Sequence, residues 1–600
     1  MTVHRRGLML SAGALALAWK GALAQPAAAS TGPLFDRFFQ ERLAIDPERA
    51  TNLGLDKGAN AALRSKLNDK SEAGKAARRA LIKDQLARLG ALDRAALPPG
   101  ERFGYDAILY GLQSQVAIDA FGIGGAATTS SPYVISQQTG AYQDIPDFLD
   151  TKHPIDTGAD ADAYLERLSA FARQLDEDTE AFRRETGLGV TPSDFLLDQT
   201  LDQLGKTLTA PQASVMVGSI TRRAAAKGLS ASYGQGAAKI YADAVAPALQ
   251  RQIAAVRKVR AGAGHDAGVW RIKDGEAWYR AGLRAATTTS LTPDEIHKIG
   301  LDQAKDLSAR LDGLLKAQGL SKGTVGERMK ALYADPAQLY PNTDEGKRQQ
   351  IAYCNQRLDQ IRPLLPKAFS RLPPYTFEVR RVPVATEAGA AAAFSQGPAV
   401  DGSRPGLVWF NLHDSADWPR FALATTVFHE GLPGHQLEGG LALSNSQISL
   451  LQKTSGFSAY AEGWGLYAEQ LADELGAYDD DPLSRIGYLK FQLFRANRLV
   501  VDTGLHHLRW GREQAAAYFV EQEGETPLFA SREVERYCAI PGQACTYKLG
   551  HSTIVDLRDK AQTALGTRFD IKAFHDMVLA HGRIPLETLR SAAAEWLARA

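Results

Sequence analysis

The sequence predicts a mainly α-helical protein, on three observations. Apolar residues recur at three- and four-residue spacing over long stretches, helix-starting and helix-stopping residues stand at their ends, and only two short segments alternate as strands do. Six hundred residues with 44% hydrophobic content suffice for a large core, and length alone allows several domains.

Leu165, Leu168, Phe171, Ala172, Leu175 and Phe182 mark the apolar face of a helix ending near Gly187. Thr292-Pro293-Asp294-Glu295 is a capping box with proline at the first helical position, followed by Ile296, Ile299, Leu307, Leu311 and Leu314. Tyr375 to Val384 and Gly406 to Leu412 alternate β-branched or aromatic residues and read as strands. Between them, Ala385 to Pro405 is rich in alanine, glycine and serine and reads as a mobile loop. Pro419 opens a helix carrying Thr425 to His429, and a further helix runs from Phe457 to Leu475 with Gly476 as its stop. No repeat and no long low-complexity linker divides the chain. The expected organisation is one helical unit, 25–600, with two lobes around a cleft: about 26–290 mostly one lobe, 291–600 the catalytic core.

The segment Phe428-His429-Glu430-Gly431-Leu432-Pro433-Gly434-His435 carries the chemistry. Zinc hydrolases need neutral imidazoles to hold the metal and an adjacent carboxylate to take a proton from water. The usual HExxH pattern sets two histidines four apart on one helical face. His429 and His435 are six apart, which on an unbroken helix means about 9 Å of rise and roughly 240° of rotation, too far to share an ion. Pro433 breaks a helix and Gly434 accepts unusual dihedrals. The expectation is therefore HExxH with a two-residue bulge that returns His435 to His429. The motif alone also allows a surface His–Glu pair beside an unrelated loop histidine.

A third ligand is expected on the helix from Phe457 to Leu475. Tyr460, Trp464, Tyr467, Leu471 and Leu475 form an apolar stripe, and Ala461, Gly465, Ala468 and Ala472 a face of small residues. A helix covered on most sides makes an unpaired Glu462 costly, and a metal resolves that cost. The alternative is an ion pair of Glu462 with Arg495 or Arg498.

These segments resemble the bacterial family catalogued as domain of unknown function 885, whose signature is HExxPGH. The matching stretches are His429 to His435, Tyr460 to Trp464, Arg495 to His506, Glu535 to Tyr537 and Pro541 to Gly550, with weaker similarity from Pro47 to Gly54. Glu438 departs from the pattern, which expects glutamine there. The family in turn resembles helical zinc peptidases of the thimet-oligopeptidase and angiotensin-converting-enzyme type. The resemblance implies a two-lobed metallopeptidase-like fold with a small sheet beside the zinc helix, and one zinc per chain on His429, His435 and Glu462. It implies a strand at Gly406 to Leu412 that pairs with the substrate backbone, and Tyr547 as the group that stabilises the oxyanion.

Glu430 is the general-base candidate because it follows the first ligand. Gln543 and His506 are candidates for touching substrate or supporting the ligands. Arg536 either binds a substrate carboxylate or pairs with Glu533, and carboxypeptidase or dipeptidase action would need such a cation, with Arg536 or Arg498 available. The expected activity is hydrolysis of short peptides. A zinc amidase or esterase on another acyl substrate, or a non-catalytic periplasmic binding protein, would use the same cleft; an intact Glu430 argues against the last.

A net charge of +1 gives no reason to expect nucleic acid or an anionic membrane as partner. Arg5-Arg6, an apolar run from Leu8 to Trp19 and Ala22-Leu23-Ala24 read as a signal peptide over residues 1–24, of twin-arginine type, cleaved near Ala24. The run is too short for a stable membrane anchor, and the expected location is the periplasm. Cys354, Cys538 and Cys545 make no disulfide framework; an oxidising compartment permits Cys538–Cys545, but buried free thiols are the expectation.

Overall fold

The computed structural model describes residues 30–600 apart from 125–130, 383, 385–386, 388–391 and 401–403. The expected signal peptide, 1–24, lies outside the described residues. Nearly all regular structure is helical. The helix Gly158–Gly187 starts on a capping box between Thr157 and Asp160 and buries Leu168, Phe171, Leu175 and Phe182 on one face. Thr292 and Glu295 form the expected capping box at the head of the helix Pro293–Ala317. No described helix is long and apolar enough to cross a membrane.

Among the described residues the helices pack into four hydrophobic cores. Tyr164, Phe171, Met216, Tyr241 and Leu249 belong to one drawn wholly from residues 67–256. A second joins Phe35, Phe38 and Tyr105 to Leu451, so amino-terminal helices pack against the carboxy-terminal half. A third gathers Trp278, Tyr279, Leu505 and Tyr537. The largest surrounds the helices Arg420–Glu430, Ser458–Glu474 and Pro482–His506. Arg420–Glu430 is buried on nearly every side from Phe421 to His429, as a helix apolar all round must be. Ser458–Glu474 approaches Thr546–Leu565 through Gly463 and Gly550: a methyl at Gly463 would lie 2.5 Å from Gly550 Cα. Cys354, Cys538 and Cys545 are buried free thiols.

The sheet has three strands: β1 (Phe377–Arg381), β2 (Ala393–Gln396) and β3 (Gly406–Phe410), in the order β1-β3-β2. β3 is parallel to β1, with Phe377 opposite Gly406, and antiparallel to β2, with Ala393 opposite Phe410. Two expectations are corrected here. The segment read as a mobile loop contains β2, held by Phe394 stacked on Trp409 and by the Trp409 indole donating to Gln396 Oε1 at 3.1 Å. Gly406 to Leu412, expected to offer an edge to a peptide, supplies the central strand, and both edges of β3 are taken. Gln436, next to His435, ties the sheet to the site by donating to Ser395 Oγ at 2.8 Å and the Gln396 carbonyl at 3.0 Å on β2 and to the Leu407 carbonyl at 3.2 Å on β3.

Candidate metal centre

His429 lies on the last turn of Arg420–Glu430. The chain leaves that helix at Gly431, passes a cis Leu432–Pro433 peptide, and begins a new helix, His435–Ser444, at His435 itself. The expected bulge is thus a junction between two helices. It brings the His429 and His435 rings to 4.8 Å between centroids, at 88°. Gly434 permits the close return, since a methyl there would stand 1.8 Å from the His429 carbonyl oxygen. Trp464 pins the turn by donating its indole N–H to the Pro433 carbonyl at 3.0 Å.

Glu462 comes from the helix Ser458–Glu474. Its Oε2 is 3.4 Å from His429 Nε2 and 3.6 Å from His435 Nε2, and one donor atom from each of the three residues lies within 4.8 Å of the others. A tetrahedral ion with ligand bonds of about 2.1 Å holds its donors about 3.4 Å apart, so the spacing fits zinc. His435 Nδ1 is buried with no protein partner. Neither Arg495 nor Arg498 pairs with Glu462.

Sequence reasoning missed Glu469. His429 Nδ1 donates to Glu469 Oε1 at 2.8 Å, and Thr425 Oγ1 donates to Glu469 Oε2 at 2.8 Å. A carboxylate behind Nδ1 fixes the tautomer and turns the Nε2 lone pair toward the ligand cluster. The signal was present: Glu469 follows Glu462 by two helical turns on a helix already inferred to be covered. Gly465 completes the seat, since a methyl there would lie 2.5 Å from His429 Cε1.

The electrostatics are those of an anionic pocket. Burial opposes charge on His429, but the carboxylates of Glu462 and Glu469 outweigh it and push its pKa up to about 10. Burial would raise Glu462, yet its two histidine contacts hold it well below the usual carboxylate range. Glu430 is raised, chiefly by burial, against the pull of His435 and His429. A pocket that traps a proton between carboxylates is one that a cation would occupy in its place.

The family described as bacterial protein of unknown function (DUF885) matches residues 47–592. The chain belongs to this family. A candidate lipoprotein from Colwellia psychrerythraea is similar over 95% of this chain and 98% of its own, at 32% identity and a TM-score of 0.91. A candidate lipoprotein of unknown function from Shewanella oneidensis shares the fold at 17% identity and a TM-score of 0.68, over 93% of this chain and 98% of its own. Metallocarboxypeptidase 1 of Trypanosoma cruzi aligns at 12% identity over 94% of this chain and 97% of its own, with a TM-score of 0.35, too low to define a fold or an activity. No curated protein matches the chain.

The other residues singled out in this family member divide into two groups. Tyr547 stands at the centre, its ring 6.5 Å from that of His429 and 26° from parallel, and its hydroxyl makes no hydrogen bond among the described residues. Arg536 pairs with Glu533 at 3.1 Å and donates to Gln543 Oε1 at 2.8 Å, so those two side chains occupy each other. His506 is not a substrate group: Nδ1 accepts from the Val269 N–H at 3.0 Å and Nε2 donates to the Tyr537 carbonyl at 3.1 Å. Burial pushes its pKa down to about 3, and no ring nitrogen is left over. Glu438, where the family pattern expects glutamine, is buried and paired with Arg583 at 2.9 Å.

Proposed function

We propose that this chain is an exported zinc peptidase that cleaves short peptides. The observation that carries the reading is the convergence of His429, His435 and Glu462, with Glu469 behind His429 and Glu430 beside it. One zinc ion held by those three residues would supply Lewis acidity and bring the pKa of water to near 7. Glu430 would take the proton from the attacking water and deliver it to the departing amine; burial raises its pKa toward the working range of such a base. Tyr547, with an unengaged hydroxyl, would donate to the oxygen on which charge develops. The edge of β2 away from β3, which pairs with no strand among the described residues, would take an extended peptide backbone, since main-chain pairing at a sheet edge suits any short sequence. Export is supported by the pattern of residues 1–24 and by the description of the 32% identical relative as a candidate lipoprotein.

Metal analysis of the purified protein, with digestion of a peptide mixture by wild type and Glu430→Gln, tests the reading. About one zinc per chain and a loss of at least about a hundredfold in the variant, with zinc retained, are expected. Hydrolysis of esters or non-peptide amides with no action on peptides would move the assignment to another acyl substrate. Zinc binding without turnover of any acyl compound would leave a binding protein.

A further inference from the structure

Arg495 and Arg498 lie three residues apart on the helix Pro482–His506 and so share a face. Their guanidinium carbons sit 5.3 Å and 4.7 Å from the centroid of the Tyr547 ring, and Tyr547 in turn stacks 6.5 Å from His429. Phe494 backs both, at 5.0 Å and 4.4 Å. The two arginines thus stand against the Tyr547 ring on a floor of aromatic rings, with Arg495 near enough to Glu430 and Glu469 for their charges to interact.

Their hydrogen bonds do not close. Arg498 is 6% exposed, and one nitrogen, Nη2, reaches Glu533 at 2.9 Å. Its Nε and Nη1 are buried with no partner, as is Arg495 Nε. Arg495 has no ion pair among the described residues. Glu533, the carboxylate at hand, already receives Arg536 and the Tyr537 hydroxyl, at 3.1 Å and 2.7 Å. Two guanidinium groups, those of Arg498 and Arg536, therefore share one carboxylate, and Arg495 beside them makes no ion pair with it. Guanidinium stays charged at any physiological pH, and buried charged donors without acceptors are costly. Arg536, the other cation considered from the sequence, has its donors spent on Glu533 and Gln543.

We propose that Arg495 and Arg498 form a substrate pocket for a carboxylate, and that its natural occupant is the free carboxy terminus of a short peptide whose scissile bond lies at the metal ligands. A guanidinium fork matches a carboxylate in shape and charge. The distance suits a terminus: an extended chain advances about 3.3–3.6 Å per residue, so about three residues or fewer bridge from the His429 side of Tyr547 to the arginines. The enzyme is on this account an exopeptidase that removes one to three residues from the carboxy-terminal end. The inference rests on the peptidase reading above and narrows it.

The test uses zinc-loaded enzyme and one peptide in three forms: free acid, carboxy-terminal amide, and amide with a glutamate at the last position. Wild type should prefer the free acid to the plain amide by at least about tenfold in kcat/KM, the worth of a charge-assisted hydrogen bond. Arg495→Gln, which breaks no hydrogen bond in the fold, should reduce that ratio to below about threefold; Arg498→Gln should do the same. Equal rates on acid and amide in wild type overturn the pocket while leaving a peptidase. A capped peptide rescued by its glutamate would reassign the pocket to acidic side chains and overturn the exopeptidase account. If no form is cleaved, the peptidase reading fails separately. Calorimetric binding of the same peptides then decides the pocket: a preference for the free acid that Arg495→Gln abolishes supports it, and equal affinities overturn it.

Discussion

Replacing Gly465 by alanine alters no ligand and no charge, yet it should cripple the metal centre. The added methyl would stand 2.5 Å from His429 Cε1, 2.6 Å from Nε2 and 2.9 Å from Nδ1. Carbon in contact needs about 3.5 Å, so the ring must withdraw by about 1 Å. Metal–ligand distances tolerate about 0.2 Å, and the withdrawal is several times that. The ring cannot pivot at little cost, because Nδ1 is tied to Glu469, which is tied to Thr425. Forcing a methyl into a filled core costs about 1–3 kcal/mol. If that strain is relieved only by moving His429, zinc affinity falls by about 10- to 100-fold, as it does when a supporting contact is lost. The assay is competition for zinc against a chromophoric chelator, with circular dichroism of the apoprotein to verify the fold. Gly439→Ala is the matched control: it lies in the neighbouring helix His435–Ser444 with nothing within 4 Å of the new methyl, and it should bind zinc as wild type does. A Gly465→Ala protein with wild-type zinc affinity would refute the seating of His429 described above.

The remaining predictions concern neighbouring groups. Glu469→Ala should keep the helical fold and weaken zinc binding by about 10- to 100-fold; unchanged affinity in the chelator assay would remove Glu469 from the site. His429 is held protonated up to about pH 10, and an ion must displace that proton, so apparent zinc affinity should rise with pH by about tenfold per unit through the neutral range. Competition titrations from pH 6 to 9 check this, and a flat profile contradicts the proton trap. Tyr547→Phe should lower kcat more than it changes KM, as for a group acting on developing charge; a change confined to KM would make it a binding residue.

The fold class and the convergence of His429, His435 and Glu462 were legible because each rests on local signals. Capping residues at Thr292, the stop at Gly476 and the apolar stripe Tyr460–Leu471 depend on near neighbours in sequence, and the helices follow them. The return of His435 was legible from Pro433 and Gly434, but its form was not: a new helix starts at His435 because Trp464, thirty-one residues on, fixes the Pro433 carbonyl. β2 was missed for the same reason. Ala393–Gln396 has little intrinsic strand preference and is ordered by Trp409 across the sheet. His506 was a candidate for touching substrate or supporting the ligands because a histidine within a family motif is ambiguous; only the folded chain shows Val269 and Tyr537 closing on its two nitrogens. The Gly463–Gly550 crossing joins segments far apart in sequence, and no local pattern in either announces it.

The two charged regions around Tyr547 have opposite signs, and that arrangement has a directional consequence. On one side, Glu430, Glu462 and Glu469 surround His429 and demand a cation or a proton. On the other, Arg498 shares Glu533 with Arg536, and Arg495 and Arg498 keep buried donors without a protein partner, which demand an anion. The regions cancel only in part: the charge of Arg495 acts on Glu430 and Glu469, yet Arg495 Nε and Arg498 Nε and Nη1 stay buried with no protein partner. Without a ligand each region carries its own burden of buried charge. Filling the first with a metal would give the arginine donors no acceptor, so the remaining unmet demand is for a carboxylate. On the proposed reading, a peptide would have one favoured polarity: its carboxylate would travel toward the arginines, and the carbonyl a short way upstream would come to rest over His429, His435 and Glu462. Direction of binding would then follow from charge placement before any side-chain preference acts, so a pocket of this kind would accept many sequences while insisting on a free end.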